Sequence, residues 1–487
     1  MSESTIALHR FGLGGRPDAA PPVEPKRWLL DQLARFDARP AALAAAPTSA
    51  AVAATLASYY EEQQAIRRER AAAPSMNAEA MTAPVMQADA PAPMADARQA
   101  NRREAGRALR DHYTAAVRAR VDAAIDTPTP FAERLVHFWA NHFAVSADQL
   151  AVVGFAGTME FEAIRPNLLG RFADLLVAVE QHPAMLLYLD QAQSIGPGSP
   201  IGTRVAARGI RKAGLNENLA REILELHTLG VRTGYTQGDV TEVARALTGW
   251  TVAGIGRGPG ARAAGDAGEP GRFVFASRMH EPGDRVVMGR RYTGAGESQA
   301  QAILADLSVH PATARHIATK LARHFIADTP PPAAVARLEQ AFLRSGGDLP
   351  TVYRALVETP EAWAQAPAKF RTPWEWTIAV YRGLGLQAAQ ANVVPLLTQL
   401  GQPVWKPGQP SGWDDAAASW AGPDAVMRRV EAASRFAERA SGIDARALAP
   451  KLFPAGLSAS TTQALARAED ARQAMALLLV SPEMMRR

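Results

Sequence analysis

The chain is predicted to be mainly α-helical: a large, irregular multi-helix globular domain with one small inserted β-hairpin and flexible loops. Three observations predict it. Apolar residues recur at helical spacing through most of the 487 residues. Strand-type runs are confined to the stretch between 254 and 292. Hydrophobic residues make up 47% of the chain, and charges are scattered among them. That composition suits a core-forming protein rather than a globally disordered one.

The whole chain, 1–487, reads as a single helical domain without a fixed-period repeat. Residues 71–97 read as a flexible Ala/Pro/Met-rich insertion, because four prolines interrupt any long helix there. Residues 254–292 read as a glycine-rich loop and β-hairpin insertion, and 385–487 as a compact C-terminal helical extension. In order, Gly12, Gly14 and Gly15 form a tight turn feeding a helix over 24–36; no strand precedes them, so they lack the context of a phosphate cradle. Helices follow over 41–70, 100–124 and Phe131–His142, a further element starts near Ser146, and helical stripes cover Phe155–Leu189. Two helices, Leu219–Val231 and Val240–Trp250, flank Gly234–Gly238, with Thr236 capping the second and Asp239 in its first turn. The hairpin pairs 272–276 with 285–292 across His280–Asp284. Helices resume at Ala300–Leu307, Pro311–Phe325, Pro332–Ser345, Leu349–Thr359 and Pro373–Gly383, then from near 388, 424 and 462.

Charge and composition exclude several classes. Lys and Arg total 53 against 48 Asp and Glu, a formal +5. The arginines are dispersed, and no specific nucleic-acid module or concentrated basic face is present. Absence of cysteine excludes disulfides, thiol catalysis and thiolate metal sites. No apolar run has the length of a transmembrane segment, and the first residues do not form a signal peptide. Cytoplasmic residence is the default expectation, with periplasmic or extracellular placement the alternative.

Polar candidates sit on four segments. On the Leu219–Val231 helix, Leu219, Ile223 and Leu226 form an apolar stripe, while Glu217, Arg221 and Glu225 fall on the opposite side at intervals of four. That side is either a solvated salt-bridge face or a cleft wall where Arg221 orients an anion and a carboxylate handles a proton. Glu222 lies at the apolar boundary, and His227 points with Ile223, towards packing or acid/base work. In Phe131–His142, Phe138 and His142 share the packed side, whereas His137 and Asn141 share another and suit a pocket. His280 sits in a turn able to cover a cleft. His316, Lys320 and His324 make a basic band suited to solvation or anion contact.

These segments carry a resemblance. The run LNENLAREILELHTLGV at Leu215–Val231 is joined by GYT at Gly234–Thr236 and EVARALTGW at Glu242–Trp250. RLVHFWANHF at Arg134–Phe143, HEPGD at His280–Asp284 and HPATARHIATKLARHF at His310–Phe325 support them, with Gly412-Trp413 and Trp420 further on. Together they resemble the bacterial DUF1800 family, in ordered matches from Leu8 onwards. The resemblance implies a mostly helical protein and attaches no activity to it. Its motif retains Asn216, Glu217, Asn218, Arg221, Glu222, Glu225 and His227. Family members often look exported, a pattern this chain departs from at its start and in the 71–97 insertion.

Two functional expectations result. One is a hydrolase acting on a polar polymer or glycan through carboxylate acid/base chemistry. Glu222 or Glu225 would protonate the leaving group, His227 and Arg221 would join the catalysis, and Asn141, His137, Glu217 and His280 would bind substrate. No motif requires a cofactor; a divalent metal held by Glu222, His227 and a distant ligand is a variant. The alternative is a non-catalytic binding or assembly protein recognising an envelope component or protein partner.

Overall fold

Helix starts in this chain are set by two devices. Proline at the first helical position opens Pro25–Arg35, Pro130–His142, Pro311–Phe325 and Pro373–Leu384, among others, where its fixed φ fits and its missing N–H costs nothing. Capping boxes are the second device. Thr236 and Asp239 satisfy each other's backbone N–H groups, as do Thr372 and Glu375. A computed structural model describes residues 1–72, 93–209, 214–255, 268–387 and 393–487. Most of the insertion expected over 71–97 and of the glycine-rich stretch from 254 lies outside the described residues, as does the helix start near 388.

The body is helical. Ser49–Ala72 packs on Pro93–Asp126, and Pro311–Phe325 packs on Pro332–Ser345, which in turn meets Leu349–Glu358. One continuous hydrophobic core takes in residues from Ile6 to Met485, including Trp139, Trp250 and Trp376, all with no exposed surface. The C-terminal helices share it: Pro423–Arg439 contributes Phe436, which meets Trp376 and Tyr381 edge-on. No helix among the described residues is long and apolar enough to cross a membrane.

The β structure differs from the expected single hairpin. Phe273–Phe275 pairs antiparallel with Trp250–Val252, and Arg285–Val287 pairs with Arg290–Tyr292. Met288 and Gly289 turn the second pair with φ values of 49° and 79°, the left-handed two-residue turn that matches strand twist. A methionine in that turn hid it from sequence patterning. The first helix of the Asn216–Trp250 segment is also shorter than expected. Asn218–Glu222 is α-helical, Ile223–His227 is a π turn, and the helix stops there instead of reaching Val231. The element expected from Ser146 is a run of turns over Ala147–Leu150, with a backbone bond from Ala147 N to Trp405 O at 2.8 Å.

A buried ionic knot ties distant parts of the chain together. Glu375 accepts from Arg134 of the Pro130–His142 helix and, at 3.2 Å, from Arg487 Nε, with Arg487 Nη2 ion-paired to it at 2.9 Å. Backbone bonds between Lys369 and Arg487, 2.9 and 3.1 Å, hold that terminal segment in place. Burial alone would raise the Glu375 pKa, but Arg487 and Arg134 outweigh it and hold the carboxyl well below the usual range. Nearby, Arg371 donates to Nδ1 of His9 at 2.6 Å, and His9 Nε2–H donates to Leu452 O. Burial, then the Arg371 charge, brings His9 down to about 3.

Glu375→Gln is expected to cost about 3–5 kcal/mol, because it strands two buried guanidinium groups; urea unfolding at neutral pH measures this, and a loss under about 1 kcal/mol would contradict it. Acid sensitivity has a defined window. His9, and His316 at about 4, stay neutral in the folded state while unfolded histidines take protons near 6.5. Their depressed values contribute stability that is complete above pH 6.5 and declines as pH falls towards 4 and then 3, with Glu375 adding to the loss only below its unfolded value near 4.5. Unfolding midpoints measured from about pH 7.5 to 4 should therefore start to drop before the carboxylates titrate, and a flat profile down to about pH 5 would refute the assignment.

Candidate functional site

The helix Pro130–His142 divides its side chains as its periodicity dictates. Phe138 and His142 turn inward, while His137 and Asn141 line a partly open cavity. Across it stand Trp374 and Glu375 at the start of Pro373–Leu384, His324 from the end of Pro311–Phe325, and Arg120 from Pro93–Asp126. The remaining wall is the irregular stretch 402–415, with Trp405, Trp413, Asp414 and Asp415.

That stretch is fixed by named contacts. Trp405 adopts φ 50°, and its indole N–H donates to Glu160 at 3.0 Å. The Asn141 carboxamide holds both polar atoms of Trp413: Nδ2 donates to Trp413 O at 2.8 Å, and Oδ1 accepts from Trp413 N at 2.7 Å. Gly412 has φ 80°, and a Cβ there would run into the Asn141 carbonyl. Asn141 thus anchors the wall more than it presents a free amide.

Two histidines have defined tautomers. Trp374 Nε1–H donates to His137 Nδ1 at 3.2 Å, so the His137 proton lies on Nε2. Burial, with Arg120, Arg134 and Arg165 close by, holds His137 well below 6.5. His324 Nδ1 lies 2.9 Å from Asp415 Oδ2, and its Nε2 has no partner among the described residues. Burial depresses His324 against the pull of Asp415, whereas His324, Lys369 and Arg487 overcome burial to keep Asp415 below its ordinary value. The pair is a neutral imidazole oriented by an ionised carboxylate, the arrangement of a general base. Lys369 backs it, fully buried and 2.5 Å from Asp328.

The Asn216–Trp250 residues lie elsewhere; none lines this cavity. Glu217 accepts from Thr241 and Gln237, both at 2.8 Å, and Arg221 donates to Gln237 at 2.9 Å, so this face clamps Gln237–Leu247 onto its own helix. Arg221 reaches Glu217 and Glu225 at 3.4 Å each, part-exposed pairs worth about 0.3–0.5 kcal/mol apiece. His227 is fully buried, with Nδ1 2.7 Å from Glu180. The carbonyls of Leu226 and His227, freed where the π turn ends, accept from His316 at 3.0 Å and His142 at 3.2 Å. Glu222 is half-buried, its carboxyl raised by burial. His280 bonds to Thr248 O at 2.9 Å, apart from the cavity. Among the described residues no three His, Asp or Glu side chains are arranged to hold a metal ion, so Glu222 and His227 do not come together with a third ligand.

Of the expected site residues, then, the cavity gathers His137 and Asn141. Sequence reasoning missed Glu375, Asp415, Arg120 and the tryptophans 374 and 405, and it read His324 as part of a basic band suited to solvation or anion contact. A usable signal existed for Glu375, because Thr372-Pro-Trp-Glu375 is a capping-box pattern that aims a carboxylate back at the helix start. No curated protein and no solved structure matches the chain. A family model described as a protein of unknown function, DUF1800, matches residues 6–486, and the chain belongs to that family.

Proposed function

We propose that this protein is a hydrolase acting on a polar polymer or glycan, and that the reaction is run from the cavity beside His324. The single observation carrying this reading is the His324–Asp415 dyad in the cavity wall, whose Nε2 is buried and left without a partner among the described residues. Once a side-chain movement opens His324 Nε2 to the cavity, water would lose a proton to it as the water oxygen attacks the carbonyl carbon of an ester on the polymer. Asp415 would hold the Nδ1–H tautomer and stabilise the imidazolium. His324 would then return the proton to the departing alkoxide. An ester suits the site better than a glycosidic bond. The wall carboxylates Glu375, Asp414 and Asp415 are all held below their ordinary pKa values, so none is the protonated acid that glycoside cleavage needs.

A non-catalytic binding protein is the second reading, and one observation favours it. Most acceptor atoms in the wall, those of Asn141, Gln402 and the three carboxylates, already serve internal bonds. Such a wall holds its shape with or without chemistry.

The two are separated by assaying acetylated, methyl-esterified and unsubstituted polysaccharides with wild type, His324→Asn, Asp415→Asn and Glu222→Gln. Loss of about 10²–10⁴ in kcat is expected for His324→Asn, with folding checked by circular dichroism. Asp415→Asn should fall in the same direction, and Glu222→Gln should keep wild-type turnover. Turnover indifferent to His324→Asn sinks the proposed base. Saccharide binding without hydrolysis of any panel member favours the binding reading.

A further inference from the structure

On the hydrolase reading of this cavity, we propose that the polymer bound here is anionic, its carboxylate or sulfate group held by the guanidinium groups of Arg120 and Arg134. The basis is an inventory of which polar atoms in the wall remain free. Glu375 Oε2 accepts from Thr372 N and Arg487 Nε, and its Oε1 accepts from Arg134 and is ion-paired with Arg487 Nη2. Asp414 accepts from Ala416 N and Ser419. Gln402 Oε1 accepts from Trp374 N, and the Asn141 oxygen from Trp413 N. The acceptors are thus largely engaged by the protein itself.

Donors are left over. Arg134 uses Nε on Gly12 O and Nη1 on Glu375, while its Nη2 has no hydrogen bond among the described residues. Arg120 is ion-paired with Glu160, 3.0 Å from its Nε. Its Nη1 and Nη2 bond to nothing among the described residues. They are not among the polar atoms sealed away without a partner, where Arg120 contributes Nε alone. Arg120 lines the cavity, and its two terminal nitrogens are neither bonded among the described residues nor sealed from solvent. The guanidinium carbon lies 4.4 Å from the Trp374 ring and 5.1 Å from that of Trp405, so the indoles hold its position. A fixed planar fork of N–H groups fits a carboxylate or sulfate in bidentate fashion. The lining sets Arg120 and Arg134 against Glu375, Asp414 and Asp415, so selection comes from the direction of the donors rather than from long-range attraction.

The test uses tryptophan fluorescence and calorimetry at constant ionic strength, with inorganic sulfate, an oligogalacturonate and the corresponding neutral oligogalactoside as probes. At least one anionic probe should bind, the oligogalacturonate at least tenfold more tightly than its neutral counterpart if the group is a carboxylate, sulfate alone if it is not. Arg120→Gln should weaken that binding at least tenfold. Glu160→Gln removes the carboxylate paired with Arg120 while keeping an acceptor for Trp405, and should tighten binding severalfold. That opposite sign decides the matter even if Arg120→Gln fails to fold. Equal binding of charged and neutral saccharides, no binding of either anion, or Glu160→Gln without a gain each overturns the anion site. Turnover of the ester panel by wild type is read separately, so failure of the hydrolytic reading would appear there and not in the binding titrations.

Discussion

A carboxylate buried among guanidinium groups gathers chain segments that hydrophobic packing alone would leave free to slide. Glu375 is set by its own helix start, gripped by Arg134 from one helix and by Arg487 from the far end of the described chain. Arg371 and Arg429 lie close enough to feel the same charge. Each cation removed from water needs a compensating partner, and one carboxylate serves several only in a tightly specified geometry. The knot therefore fixes where the Pro130–His142 and Pro373–Leu384 helices sit relative to each other. The cavity is the space between them.

The Asn216–Trp250 segment, by contrast, is explained by architecture. Its acidic and basic face clamps the next helix, and its π turn ends on a histidine buried against Glu180. Two imidazoles from other helices take up the carbonyls that the turn leaves free. Residue types that suggest catalysis serve here to end a helix deep inside a protein without orphaning its backbone. The one group that keeps a chemical character is Glu222, half-buried with its pKa raised.

Helix periodicity made much of this legible in advance. Pro311–Phe325 and Pro332–Ser345 have the bounds their patterns indicate, and the Thr236 cap is present with Asp239 as its reciprocal partner. The split of His142 from His137 and Asn141 was legible because about 100° per residue fixes which side chains share a face. Pairings between distant segments were not. Nothing local says that Asp415 meets His324 across 91 positions, or that Arg120 lies between Trp374 and Trp405. The stretch 402–415 is irregular, so no period marks which of its side chains face inward. The strand Trp250–Val252 was hidden because its partner Phe273–Phe275 arrives only after a long intervening stretch.

One helix face joins the two regions. His316, Lys320 and His324 recur at intervals of four on Pro311–Phe325, so they form a single stripe against the Pro130–His142 helix. At one end His316 donates to the Leu226 carbonyl; at the other, His324 meets Asp415 at the cavity. His142 stands alongside, 6.1 Å from the His316 ring, and bonds to His227 O. A shift of this helix along its axis would disturb the buried end of the Asn218–His227 turn and the orientation of His324 together. The carbonyls of Leu226 and His227 therefore serve the cavity without touching what it binds, by holding the helix that carries His324 in register.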